Sequence, residues 1–130
     1  MTKQEHIDYW LKSAKEDLET MNYLFDGGRH LHALFFGHLY IEKLSKALWV
    51  KNNDSNIPPK IHNTLNLLKQ ANIQLDEAQN IFLLKLNRYQ IEGRYPEDIN
   101  NLSSITTKQL TLEYIESVKS IGVCLIEKAV

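Results

Sequence analysis

Hydrophobic residues are most concentrated in one stretch, Leu31 to Lys51, reading LHALFFGHLYIEKLSKALWVK. Placed at about 100° per residue, Ala33, Leu34, Phe36, Gly37, Tyr40, Ile41, Leu44, Ala47 and Leu48 share one broad apolar face. His38, Glu42, Ser45 and Lys46 form a narrow polar stripe opposite. The pattern predicts a helix over 29–52, buried on most of its circumference and covered by the rest of the chain. Upstream, Thr2 and Glu5 have capping-box spacing, and Ile7, Trp10, Leu11, Ala14, Leu18, Met21, Leu24 and Phe25 recur at helical steps, predicting a first helix over 3–25. Asp26-Gly27-Gly28 ends it and permits an immediate reversal, so these two helices should pack antiparallel.

Downstream, the polar run Asn52 to Asn56 and then Ile57-Pro58-Pro59 impose an extended connection. His62, Leu65, Leu68 and Ala71 predict a short helix over 61–71. Asp76 with Gln79 opens a fourth over 76–89, with Ala78, Ile81, Phe82, Leu84, Leu86 and Tyr89 as its apolar residues. From Gln90 to Thr106 the periodicity disappears, and this segment reads as a long connection without structure of its own. Thr106 with Gln109 starts a last helix over 107–128, carrying Leu110, Tyr114, Val118, Ile121 and Leu125 inward. The expected fold is all-α, an up-and-down bundle of four long helices plus one short helix, in a single domain over 1–130. No strand pair, internal repeat or low-complexity segment is present.

Charge adds little to this picture, because 15 basic against 16 acidic residues give a net charge of -1. No overall field draws the chain to nucleic acid or to an anionic membrane, and any such contact has to be local. A lone Cys124 excludes an internal disulfide, and the N-terminal MTKQEHIDYW lacks the apolar core of an export signal, so a cytoplasmic location is expected. No uninterrupted apolar run approaches the ~20 residues of a membrane span. Phe35, Leu39, Trp49 and Val50 lie off the main face of the central helix, and cover for them is expected from a second copy in a two-fold homodimer.

Along the polar stripe, Glu42 stands one turn after His38 and one turn before Lys46, so the three side chains can meet in one line. A plain surface seam is the competing reading. Five histidines do not make a metal site: His30 and His32 point to different sides of a helix, and no second pair has ligand spacing. Neither a metal nor another cofactor is expected. Cys124, in an apolar helix, reads as a small hydrophobe, and Gly27-Gly28 as a turn with no phosphate-loop lysine after it. The other informative place is Arg94-Tyr95-Pro96, where proline fixes the backbone that presents Arg94. Such an arginine can grip a phosphate or carboxylate, or tie its own connection down. The expectation is that it turns back toward Glu42 as the anchor of the long segment.

Taken together, Trp10, Ala14, Asp17-Leu18, the Gly27-Gly28 turn, Glu42-Lys43 to Lys46-Ala47, His62 before a leucine pair, and Arg94-Tyr95-Pro96 resemble the HEPN domain, in its stand-alone prokaryotic branch. The resemblance covers nearly the whole chain. It implies an up-and-down helical bundle, frequent homodimers, and genes beside a minimal nucleotidyltransferase in toxin-antitoxin-like pairs. Many members of the family are metal-independent ribonucleases with an Arg-x4-6-His motif. Here no histidine follows Arg29, Arg88 or Arg94 at that distance, so no catalytic residue is carried over. What the resemblance carries over is a candidate ligand groove of Glu42, Lys43, Lys46, His62, Arg94 and Tyr95. The leading expectation is a non-catalytic module that binds a nucleotide or RNA and acts with a nucleotidyltransferase partner. The alternatives are a divergent ribonuclease using His38 or His62 with Arg94, and a purely structural dimerisation domain.

Overall fold

The computed structural model describes residues 1–130 as six helices: α1 (Lys3–Asp26), α2 (His30–Asn52), α3 (Thr64–Gln70), α4 (Glu77–Asn87), α5 (Pro96–Ile105) and α6 (Lys108–Ala129). The fold is all-α, as the periodicity predicts, and no helix is long and apolar enough to cross a membrane. α1 opens with a complete capping box: the Thr2 hydroxyl accepts from the Glu5 N–H at 3.1 Å while Glu5 Oε1 accepts from the Thr2 N–H at 3.3 Å. It closes at Gly27-Gly28, where Gly28 takes φ 76°, a conformation that costs a side-chain-bearing residue more. The reversal lays α2 back along α1.

Each of the other five helices packs against α2. Every residue of α2 from Ala33 to Val50 is buried or half-buried, so this helix is the axis on which the bundle is assembled. Its C-terminal end is held by a lysine from the opposite end of α1. Lys3 Nζ donates to the carbonyls of Val50 at 2.7 Å and Asn53 at 2.8 Å, a cation placed where helix carbonyls are unsatisfied and the dipole is negative. Asn52 and Asn53 then donate to the carbonyls of Ala71 and Gln70, which sets α3 beside the end of α2.

Two expectations are corrected here. The segment Gln90 to Thr106 is not structureless, because α5 occupies most of it. Pro96 sits in the first turn, where its missing N–H costs nothing, and Glu97 and Asp98 stand at the positive end of the dipole. Leu102 is buried against the core cluster. The anchor expected of Arg94 is supplied elsewhere: the Thr106 hydroxyl donates to the Leu102 carbonyl at 2.6 Å and therefore accepts from Tyr89 Oη at 2.7 Å. The second correction concerns Phe35 and Val50, which the chain buries within itself, Val50 beside Ile7 and Ala47. Leu39 and Trp49 are half-buried, and the Trp49 indole N–H donates to Gln70. These four residues therefore do not require a second copy to cover them.

α6 reaches α2 closely because Gly122 faces Tyr40. A Cβ on Gly122 would come within 2.6 Å of Tyr40 Cε2, inside van der Waals contact with a ring that is itself buried. Gly122→Ala is expected to destabilise the fold by about 1–3 kcal/mol, the usual range for overpacking a filled core. Urea unfolding monitored by helical circular dichroism would read this as a lower midpoint at unchanged slope.

Candidate functional site

The polar stripe of α2 is built as its spacing suggests, but inside the protein. Glu42 is 4% exposed, and a carboxylate that deep has to be paired. One oxygen, Oε2, takes Lys46 Nζ at 3.3 Å from the next turn of the same helix. The other, Oε1, accepts from His62 Nδ1 at 2.9 Å. His62 comes from the stretch before α3, which begins later than the pattern suggests because Asn63 is its N-cap and accepts from the N–H groups of Leu65 and Asn66. His62 thus lies in extended chain, free to reach across to α2. Its ring is about half exposed, and with Nδ1 given to Glu42 the Nε2 atom faces outward without a protein partner. A ring oriented in this way can accept or donate a proton, or hydrogen-bond a phosphate oxygen.

His38 completes the line from beneath. It is fully buried, and its Nε2–H donates to the main-chain carbonyl of His62 at 3.0 Å, so the same residue is held twice, by backbone and by side chain. With the proton of the neutral ring on Nε2, Nδ1 of His38 is the bare nitrogen, and it is buried without a hydrogen-bond partner. Burial pushes the His38 pKa below its ordinary value, against the opposing pull of Glu42 and the His62 carbonyl. Beyond it, Thr64 Oγ1 donates to Asn87 Oδ1 at 3.2 Å and Asn87 Nδ2 donates to Asn63 Oδ1 at 3.4 Å. The end of α4 is thereby joined to the start of α3.

Of the six residues named from the sequence, Glu42, Lys46 and His62 are brought together. Lys43 is not free: its Nζ stands 2.7 Å from Asp17 Oδ2, the buried carboxylate of α1. Burial raises the Asp17 pKa, and Lys43 opposes the rise. Arg94 and Tyr95 lie apart from the Glu42 line. Arg94 does not turn back to Glu42; its Nε donates to the Gln90 carbonyl at 3.1 Å, four residues earlier in the turn between α4 and α5, and Tyr95 is 76% exposed. Arg94 instead borders a small cavity of about 160 Å³ with Arg88, Asp98 and Asn101, and neither arginine is in an ion pair. Two contributors went unread. Asn87 gives no signal in sequence, while Trp10, read as core and as part of the family resemblance but not as a site residue, carries Lys46 Nζ 5.1 Å from its ring centroid. No three histidine, cysteine or acidic side chains converge closely enough to share a cation.

The buried neutral His38 makes stability depend on pH with a definite sign. Its folded pKa lies below the ordinary 6.5, so the unfolded chain binds the proton first. Its stabilising contribution is complete above pH 6.5 and is lost as pH falls from there through the folded value. Asp17 has the opposite sign: the folded chain takes its proton first, so the cost of its burial is relieved as pH falls through its raised value toward 3.8. Between pH 7 and 5 the wild type is expected to lose stability, and His38→Gln, which retains a donor toward the His62 carbonyl, to show a flatter dependence. Chemical denaturation at a series of pH values measures both slopes.

No match to the chain was found among the curated proteins or among the solved structures. The family model described as HEPN domain matches residues 7–127, a span that reaches from within α1 to within α6 and takes in every residue of the Glu42 line. With the bundle, the paired helices α1 and α2 and the histidine-bearing connection in place, the chain belongs to the HEPN domain family.

Proposed function

We propose that this HEPN-domain protein is a non-catalytic module that binds a nucleotide or RNA and acts beside a minimal nucleotidyltransferase in a toxin-antitoxin-like pair. The observation that carries the ligand class is the Glu42 line. One buried carboxylate holds an ammonium and an imidazole in fixed positions, and the ammonium lies over an indole face. Cations held beside an aromatic surface are the elements from which sequence-tolerant binding of single-stranded nucleic acid is built. Arg88 and Arg94, which share a cavity with Asp98 but form no ion pair, offer further phosphate contacts away from the Glu42 line. The missing Arg-x4-6-His spacing supports binding without cleavage, and membership of the family supports the paired partner.

A two-fold homodimer belongs to the same reading, though not through α2. On α6, Leu112, Val123 and Ile126 are all exposed and recur on one side of the helix, a face suited to a copy of itself.

One observation favours a second reading, a metal-independent ribonuclease. The Glu42–His62 pair resembles a carboxylate-oriented general base with its Nε2 free. A single set of assays separates the two. Fluorescence polarisation with labelled single-stranded RNA is expected to show binding that weakens with salt, each neutralised phosphate contributing about -0.7 to the log–log slope. Lys46→Gln is expected to weaken it about tenfold, the loss of one charge-assisted contact, and the RNA is expected to remain intact. Cleavage in chelator that disappears in His62→Ala selects the ribonuclease, and absence of any RNA or nucleotide binding contradicts the leading proposal.

A further inference from the structure

We infer that the cavity between the first turns of α1 and the segment 56–60 holds one nucleobase, with the attached phosphate on Lys46 and Lys60. This deepens the nucleotide- or RNA-binding reading and rests on it. The cavity is about 350 Å³, within the range of small-molecule sites, and the Lys46 end of the Glu42 line opens into it. Tyr9 and Trp10 form one side, with ring centroids 5.2 Å apart and planes at 76°, so the two rings make a corner. Tyr9 is 56% exposed, an aromatic surface with little of it used in the core. Pro58 and Pro59 also line the cavity and are rigid without the help of a ligand, so little order is lost on binding.

The charge of the lining is one-sided. His6, Lys46 and Lys60 border the cavity and no carboxylate does, in a chain whose net charge is -1. Lys46 shares its charge with Glu42, but Lys60 is in no ion pair. The wall also holds an unmet acceptor: Asn56 Oδ1 is buried and has no hydrogen-bond donor. A buried acceptor left in this state is costly, and an N–H at the edge of a bound ring would satisfy it once the amide turns inward. Flat rings, a proline lining, cations without acids and one orphaned acceptor match a planar heterocycle that carries both N–H groups and a negative tail. That is a nucleoside monophosphate unit, supplied either as a free nucleotide or as an unpaired residue of RNA.

The test uses the emission of Trp10. Trp49→Phe leaves Trp10 as the sole tryptophan, since Trp10 and Trp49 are the two in the chain. This protein is titrated with AMP, adenosine, ribose 5-phosphate, inorganic phosphate and a short single-stranded oligoribonucleotide. Saturable quenching by AMP and by the oligonucleotide, with none by ribose 5-phosphate or phosphate, is expected; quenching by the oligonucleotide alone assigns the site to a residue of RNA. Tyr9→Ala, an exposed position, is expected to weaken the quenching ligand by at least about fivefold, the low end of a lost stacking contact. Lys60→Gln is expected to weaken AMP and leave adenosine nearly unchanged. If RNA binds by polarisation while Trp10 emission stays constant and Tyr9→Ala has no effect, the cavity assignment is overturned and the binding reading stands. If neither assay detects RNA or nucleotide, both are overturned.

Discussion

A carboxylate sealed inside a helical bundle is the constraint on which the site depends. Glu42 lies on the helix that every other helix packs against, so it cannot reach bulk water, and its charge has to be balanced from nearby. One partner is local, Lys46 on the next turn. The other, His62, comes from twenty residues further along the chain, and recruiting it determines the course of the connection between α2 and α3. His38 adds a bond to the His62 backbone, Asn63 then caps α3, and Asn87 ties that cap to the end of α4. A single buried charge is thereby linked to the placement of two helix ends, the start of α3 and the end of α4.

The same helix carries a second buried acid–base arrangement in Asp17 and Lys43, contributed by the α1–α2 contact. Replacing such pairs with apolar residues of similar volume often leaves a fold as stable or more so, so bulk stability is a weak reason for keeping them. Their effect here is positional. Lys46 is held over Trp10, and His62 presents one ring nitrogen outward at a fixed place. Positioning of this kind suits recognition of a phosphate or proton transfer to one, and both rest on the same pairing with Glu42.

Much of the fold was legible because helix periodicity is a local property. Caps at Thr2 and Asp76 and the Gly27-Gly28 turn placed helix ends within a few residues of where they stand. The His38–Glu42–Lys46 line followed from spacing, and His62 from the resemblance to HEPN domains. α5 was missed because its inward residues, Ile99 and Leu102, are few, although Pro96 followed by two acids is a helix-start signal. Arg94 was misplaced for a physical reason: the entropy cost of the segment is met by the helix itself, by Leu102 and by the Tyr89–Thr106 bond, so no arginine anchor is needed. The cavity of Tyr9 and Trp10 was not legible, because its two walls are far apart in sequence and meet only when the C-terminal end of α2 returns to the start of α1.

The central claim is that Glu42 dictates the state of His62, and the tautomer of that ring reports it most directly. Free neutral imidazole side chains favour the proton on Nε2, whereas a ring whose Nδ1 faces a carboxylate has to carry it there. Long-range nitrogen–proton correlation spectra of the histidine rings, recorded once His62 is neutral, distinguish the two forms. The account predicts an Nδ1-protonated His62 in the wild type that reverts toward the Nε2 form in Glu42→Ala. A His62 that is Nε2-protonated in the wild type, or unchanged by that substitution, would contradict it.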